Sequence, residues 1–206
     1  QLADSYTSLG TAHYVNGHLS QALAANLKAL ELNPDYLEAQ ANLGYIYSER
    51  GQLRNALERH QQAYQSNPQY SVNWYRIALS SQRLGHLKSA VNWYQKVLTA
   101  KPDYHLATFH YSRLLLQQNK LAQAESMLHQ AEKQSPDSLN ILKGLINIYL
   151  LSQQVTKAKP WIHKLQLLSN GEHRQYAELL TLLTSEPTDR ISLQSWYDKH
   201  TNDYNE

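Results

Sequence analysis

The chain has 206 residues, is 42% hydrophobic and 17% charged, and carries a formal net charge of +2 with no cysteine. That composition excludes a disordered chain, and so small a charge gives no argument for a nucleic-acid partner. No apolar run reaches the ~18 residues a membrane span needs, and without cysteine there are no disulfides, thiolate metal sites or cysteine nucleophiles, a composition that suits cytosol and periplasm equally.

From Ala3 onward one 34-residue unit recurs five times. Pro34, Pro68, Pro102 and Pro136 fall in one register, as do Ala22, Ala56, Ala90, Ala124 and Ala158, and Leu19, Leu53, Leu87, Leu121 and Val155. A fixed period of this length signals a repeat architecture, in which each unit buries its apolar face against its neighbours. The units are 3–36, 37–70, 71–104, 105–138 and 139–172. The first residue is Gln1, not Met, so the chain reads as a mature or excised form, and Leu2, Tyr6 and Leu9 read as having lost a preceding helix.

Each unit predicts two helices. In the second, Leu43, Gly44, Ile46 and Tyr47 lie at helical spacing up to Gly51, and Leu53, Ala56, Leu57, His60, Ala63 and Tyr64 resume the period until Pro68 closes it. Gly10, Gly44, Ala78 and Ser112 share one place in the first helix, and the alanines share one in the second; small side chains at a crossing let helix axes approach closely. Gly17, Gly51 and Gly85 stand where a left-handed residue ends a helix, and Asn119 is an acceptable substitute there. Gln153 is a poor one. The fifth unit departs further: Ile146 stands at the small place, Asn170 at the proline, and Pro160 near the start of the second helix, where a late start or a kink is expected. Tyr36, Tyr70 and Tyr104 follow the prolines and are expected to pack between units.

After residue 172 the period fades. Tyr176, Leu179, Leu180 and Leu183 share a helical face over 173–184, Pro187 breaks it, and 189–200 predicts a last helix. Residues 173–206 thus read as capping helices and a polar tail.

Trp74, Ile77, Ala78, Gly85, Ala90, Tyr94, Val97 and Pro102 in the third unit, with Leu43, Gly44, Tyr47, Gly51, Ala56, Ala63 and Pro68 in the second, resemble the tetratricopeptide repeat (TPR) family. The resemblance covers 3–172. It implies an all-α, right-handed α-solenoid of five TPR helix-turn-helix repeats plus C-terminal capping helices, with the first helices lining a concave groove. Carried over place by place, the family's binding positions fall on Asp4, Thr7, Thr11, Tyr14, Glu38, Asn42, Tyr45, Glu49, Tyr75, Arg76, Leu79, Gln82, Arg83, Leu106, Phe109, His110, Arg113, Gln117, Asn140, Lys143, Asn147 and Leu150. The groove residues singled out are Asn42, Tyr45, Tyr75, Arg76, Leu79, Arg83, Phe109, His110, Arg113, Lys143 and Asn147. Rings beside amides suit a peptide, and the basic residues of units three to five suit a partner with an acidic stretch.

Ten histidines form no metal or catalytic motif, and there is no phosphate loop or nucleophile elbow; the chain reads as non-enzymatic, without metal or cofactor. Most of the fifteen tyrosines and four tryptophans fall on core places of the repeat. Some TPR domains grip a chaperone's terminal carboxylate with two lysines, two asparagines and an arginine; here Thr7, Thr11, Asn42, Val72 and Arg76 hold those places, and the missing lysines argue against that ligand. The leading expectation is a scaffold that binds a peptide segment of a partner, with a bacterial envelope, pilus or secretion assembly as its setting. An oligomerising module with exposed repeat ends and the regulatory arm of a longer enzyme are the alternatives.

Overall fold

The architecture is that of a computed structural model, which describes residues 1–169 and positions 176, 178, 179 and 181. Ten α-helices and no strand occur among the described residues: α1 (Leu2–Val15), α2 (Leu19–Leu32), α3 (Leu37–Glu49), α4 (Leu53–Ser66), α5 (Ser71–Arg83), α6 (Leu87–Ala100), α7 (His105–Gln117), α8 (Leu121–Gln134), α9 (Leu139–Leu151) and α10 (Val155–Leu168). None is long and apolar enough to cross a membrane. The fold is the expected all-α repeat.

The helices form two compact units, Gln1–Lys101 with α1–α6 and a second from Pro102 with α7–α10. In the first, α1, α3 and α5 each pack on the helix that follows, α2 also packs on α3, α4 on α5, and α1 on α3. In the second, α7 packs on α8 and α9, α8 on α9, and α9 on α10.

The alanine places explain the close pairing. Ala22, Ala56, Ala90, Ala124 and Ala158 are all fully buried, so each second helix lays its smallest side chain at the contact, where a larger one would overpack. The turns between paired helices follow one plan. Gly17 has φ +75°, its N–H donates to the Tyr14 carbonyl (2.9 Å), and the His18 N–H reaches back to that of His13 (2.8 Å). This double closure satisfies the last carbonyls of the helix and requires a left-handed residue. Asn119 and Gln153 take φ +58° at the same place, and Gln154 N–H bonds to Tyr149 O (2.8 Å), so Gln153 adopts a conformation that costs a residue with a Cβ about 1–2 kcal/mol.

Three expectations need adjustment. Pro160 neither delays nor displaces α10, which begins at Val155. Instead the first turn closes with Lys157 N–H to Gln154 O (2.9 Å), three residues back, whereas Ala22, Ala56, Ala90 and Ala124 bond four residues back. Ile146 is fully buried at the small place, and α9 approaches the preceding helix α8 closely at Gly144, where an added Cβ would lie 2.8 Å from the Leu128 side chain. Tyr36 is half-buried and donates its hydroxyl to the Asp4 carboxylate, but Tyr70 is 44% exposed and does not fill an interior place. Of the expected cap, Tyr176 and Leu179 are helical and buried; the rest of 173–206 lies outside the described residues, apart from positions 178 and 181.

Candidate functional site

The first helices of the first compact unit bring Thr11, Tyr14, Asn42, Tyr45 and Arg76 together, and the second helices complete the arrangement from below. Glycine sets the depth. A Cβ at Gly10 would lie 2.1 Å from the Asn26 amide, and one at Gly44 would lie 2.3 Å from the His60 ring. Asn26 and His60 are therefore seated directly on the backbone of α1 and α3, and both are buried, at 0% and 1% exposure.

Two successive steps result, built from corresponding residues 34 apart. In the first, Asn42 Nδ2 donates to Asn26 Oδ1 (3.2 Å) and to Thr11 Oγ1 (3.2 Å). That spends the amide nitrogen inside the protein and leaves the Asn42 carbonyl oxygen for a ligand N–H or O–H. Above this pair lies a cleft of about 240 Å³, lined by Gly10, Thr11, Tyr14, Asn26, Asn42, Tyr45 and Ile46. In the second step His60 stands where Asn26 did, and Arg76 where Asn42 did. Imidazole and guanidinium are larger than two carboxamides. The His60 ring meets Tyr45 edge-on at 5.9 Å, and Arg76 Cζ lies 3.7 Å from the Tyr45 ring centroid and 5.5 Å from that of Tyr75.

The electrostatics follow from burial. Desolvation, with Arg76 adding a like charge, holds His60 down at about 3, so it is neutral near pH 7 and Arg76 carries the charge of this step. Among the described residues no carboxylate forms an ion pair with Arg76, and neither Arg76 Nε nor His60 Nδ1 has a hydrogen-bond partner. A guanidinium stacked on a ring keeps its in-plane N–H groups available to a carboxylate. Burial raises the Tyr14 pKa, with Glu49 raising it further and Arg76 opposing. Asn26 and His60 were not among the sequence-derived site residues, although both recur in register at the place Tyr94 occupies in the third repeat. A polar residue at a core place of the period was the available signal.

The remaining predicted residues are spread differently. Tyr75 is 3% exposed and tilts against Tyr94 at 6.4 Å, which puts it in the interior beside the face. Leu79 is half-buried and Arg83 exposed. Asp4 is engaged by Tyr36. In the second compact unit Phe109 is 4% exposed and edge-on to half-buried His110 at 5.2 Å, with Arg113 Cζ 5.9 Å from the Phe109 ring. Lys143 is half-buried, and burial lowers its pKa. Asn147 is 3% exposed. No group of three or more histidine, cysteine or acidic side chains is placed to hold a metal among the residues described.

Three tetratricopeptide repeat profiles match the chain, over residues 25–58, 72–104 and 115–183. No curated protein sequence matches it. Among solved structures it is similar to PilW, described as a widely conserved type IV pilus biogenesis factor, with a TM-score of 0.78 at 18% identity over 98% of this chain and 94% of that one. Pseudomonas aeruginosa pilF gives 0.75 at 18% identity, over 98% and 92%. YrrB, described as a TPR protein with an unusual peptide-binding site, gives 0.62 at 19% identity, over 85% and 90%. At these identities the likeness is one of fold.

Proposed function

Because the chain belongs to the tetratricopeptide repeat family, we propose that it is a non-enzymatic scaffold that binds a peptide segment of a partner protein on the face of α1, α3 and α5. One observation carries the reading: a side-chain-sized cleft and a stacked arginine without a carboxylate partner share one residue, Tyr45, which lines the cleft and carries the stack. A peptide is the ligand that can fill one and pair with the other while its backbone meets the Asn42 carbonyl. The acidic stretch expected of the partner belongs to this proposal through Arg76, and so does a role in a bacterial assembly, for which the fold shared with a pilus biogenesis factor is the supporting likeness.

Selection of phage-displayed random peptides on the full chain tests it. Enriched peptides should bind Tyr45→Ala and Asn42→Ala less tightly, by about 1–2 kcal/mol each, and should bind a Lys28→Ala control unchanged, since exposed Lys28 lies on α2 and pairs with Glu31. Failure to enrich any peptide, or binding indifferent to Tyr45 and Asn42, overturns it.

A further inference from the structure

The two steps on this face differ in one physical respect: the first is open and the second is filled. Where Asn26 and Asn42 meet, about 240 Å³ stays empty. One repeat later His60 and Arg76 occupy the corresponding places, with Arg76 lying on Tyr45. The open step is a receptacle and the filled step presents a charge, and Tyr45 belongs to both.

The receptacle has a size. It falls below the ~300–1,000 Å³ of clefts that enclose a whole small ligand, and it suits one large side chain. Tyr14, Tyr45 and Asn42 are among the residues that line it. Rings favour another ring in offset or edge-on contact, and the Asn42 carbonyl can accept from a phenol. The charge has a place as well. Glu49, the last residue of α3 and exposed, raises the Tyr14 pKa while Arg76 lowers it, so the place that favours a ligand carboxylate is the Arg76 guanidinium.

We propose, resting on the reading of this face as a peptide site, that it reads a two-part code: an aromatic side chain seated in the α1–α3 cleft and, two residues away in an extended segment, a carboxylate paired with Arg76. The spacing follows from the shared ring. Both ligand side chains contact one tyrosine, so they come from the same face of the segment. In an extended chain the nearest same-face neighbours are i and i+2, about 6.6 Å apart.

The peptides selected on the full chain give the test. The code expects an aromatic residue and Asp or Glu enriched two places apart. Titrations by fluorescence anisotropy then use one such peptide, its aromatic-to-Ala version and its Glu-to-Gln version. Arg76→Gln should weaken the parent about tenfold and leave the Gln version unchanged. Thr11→Phe, which places a ring at the exposed rim of the cleft and removes the hydroxyl that holds Asn42, should weaken the parent about tenfold more than it weakens the Ala version. Circular dichroism and melting of both variants serve as folding controls, with Arg76→Lys as the milder substitute if Arg76→Gln unfolds. Peptides enriched without the pair, or pairs indifferent to both variants, overturn the code while the peptide-site reading stands. No enrichment at all overturns both.

Discussion

The guanidinium carbon of Arg76 lies 3.7 Å from the centre of the Tyr45 ring, and His60 meets the same ring edge-on. Three consecutive helices, α3, α4 and α5, thus meet on one tyrosine. Replacing Arg76 with Lys keeps the charge and removes the flat stack. Chemical unfolding should register a loss of about 0.5–1 kcal/mol, and a titration with an acidic peptide should show weaker binding at low salt. An unchanged unfolding midpoint would show that the stack contributes nothing to the fold.

His60 makes stability depend on pH. Its folded pKa, held at about 3 by burial and by Arg76, lies below the ordinary 6.5. Below pH 6.5 the unfolded chain takes up a proton that the folded site refuses, so unfolding is favoured as the pH falls. The contribution is intact above pH 6.5 and declines toward pH 3, by up to about 1.4 kcal/mol per pH unit. His60→Asn, which copies Asn26, should flatten this limb in urea titrations at pH 7, 6, 5 and 4. Parallel limbs in the two proteins would remove His60 from the acid response.

Gly44 and His60 should be energetically coupled. A Cβ at position 44 would lie 2.3 Å from the His60 ring, so Gly44→Ala should cost about 1–3 kcal/mol. With His60→Ala in place the methyl group has room, and the double variant should be more stable than the sum of the singles by about 0.5–3 kcal/mol. Additive effects in urea unfolding would contradict the contact.

Gln153→Gly should stabilise. Gln153 sits at φ +58°, where a Cβ costs about 1–2 kcal/mol, and the greater unfolded-state freedom of glycine offsets part of the gain, leaving about 0.5–1 kcal/mol. The mirror change, Gly51→Ala at φ +71°, should destabilise by a similar amount. Urea midpoints that move the other way would refute the shared turn geometry.

Much of the molecule was legible before any coordinates. Helix pairing, the alanine contacts and the left-handed turn residues follow from the 34-residue register, because each depends on the local backbone and on one small side chain at a fixed place. The start of α10 at Val155 despite Pro160 and the close approach of Gly144 to Leu128 of α8 were not legible, since they turn on how α10 and α9 meet particular neighbours.

The site divides along the same line. The amino-acid sequence by itself determined that first helices present Asn42 and Arg76 at one corresponding place, with Tyr45 three residues after Asn42, because a repeat makes every register position periodic. Only the tertiary structure decided that Tyr75, Phe109 and Asn147 are buried, that Asn26 and His60 rise through the glycines into the face, and that one step is open while the next is filled. Periodicity fixes which direction a residue points from its helix; the volume left over depends on what the next helix brings to the same spot.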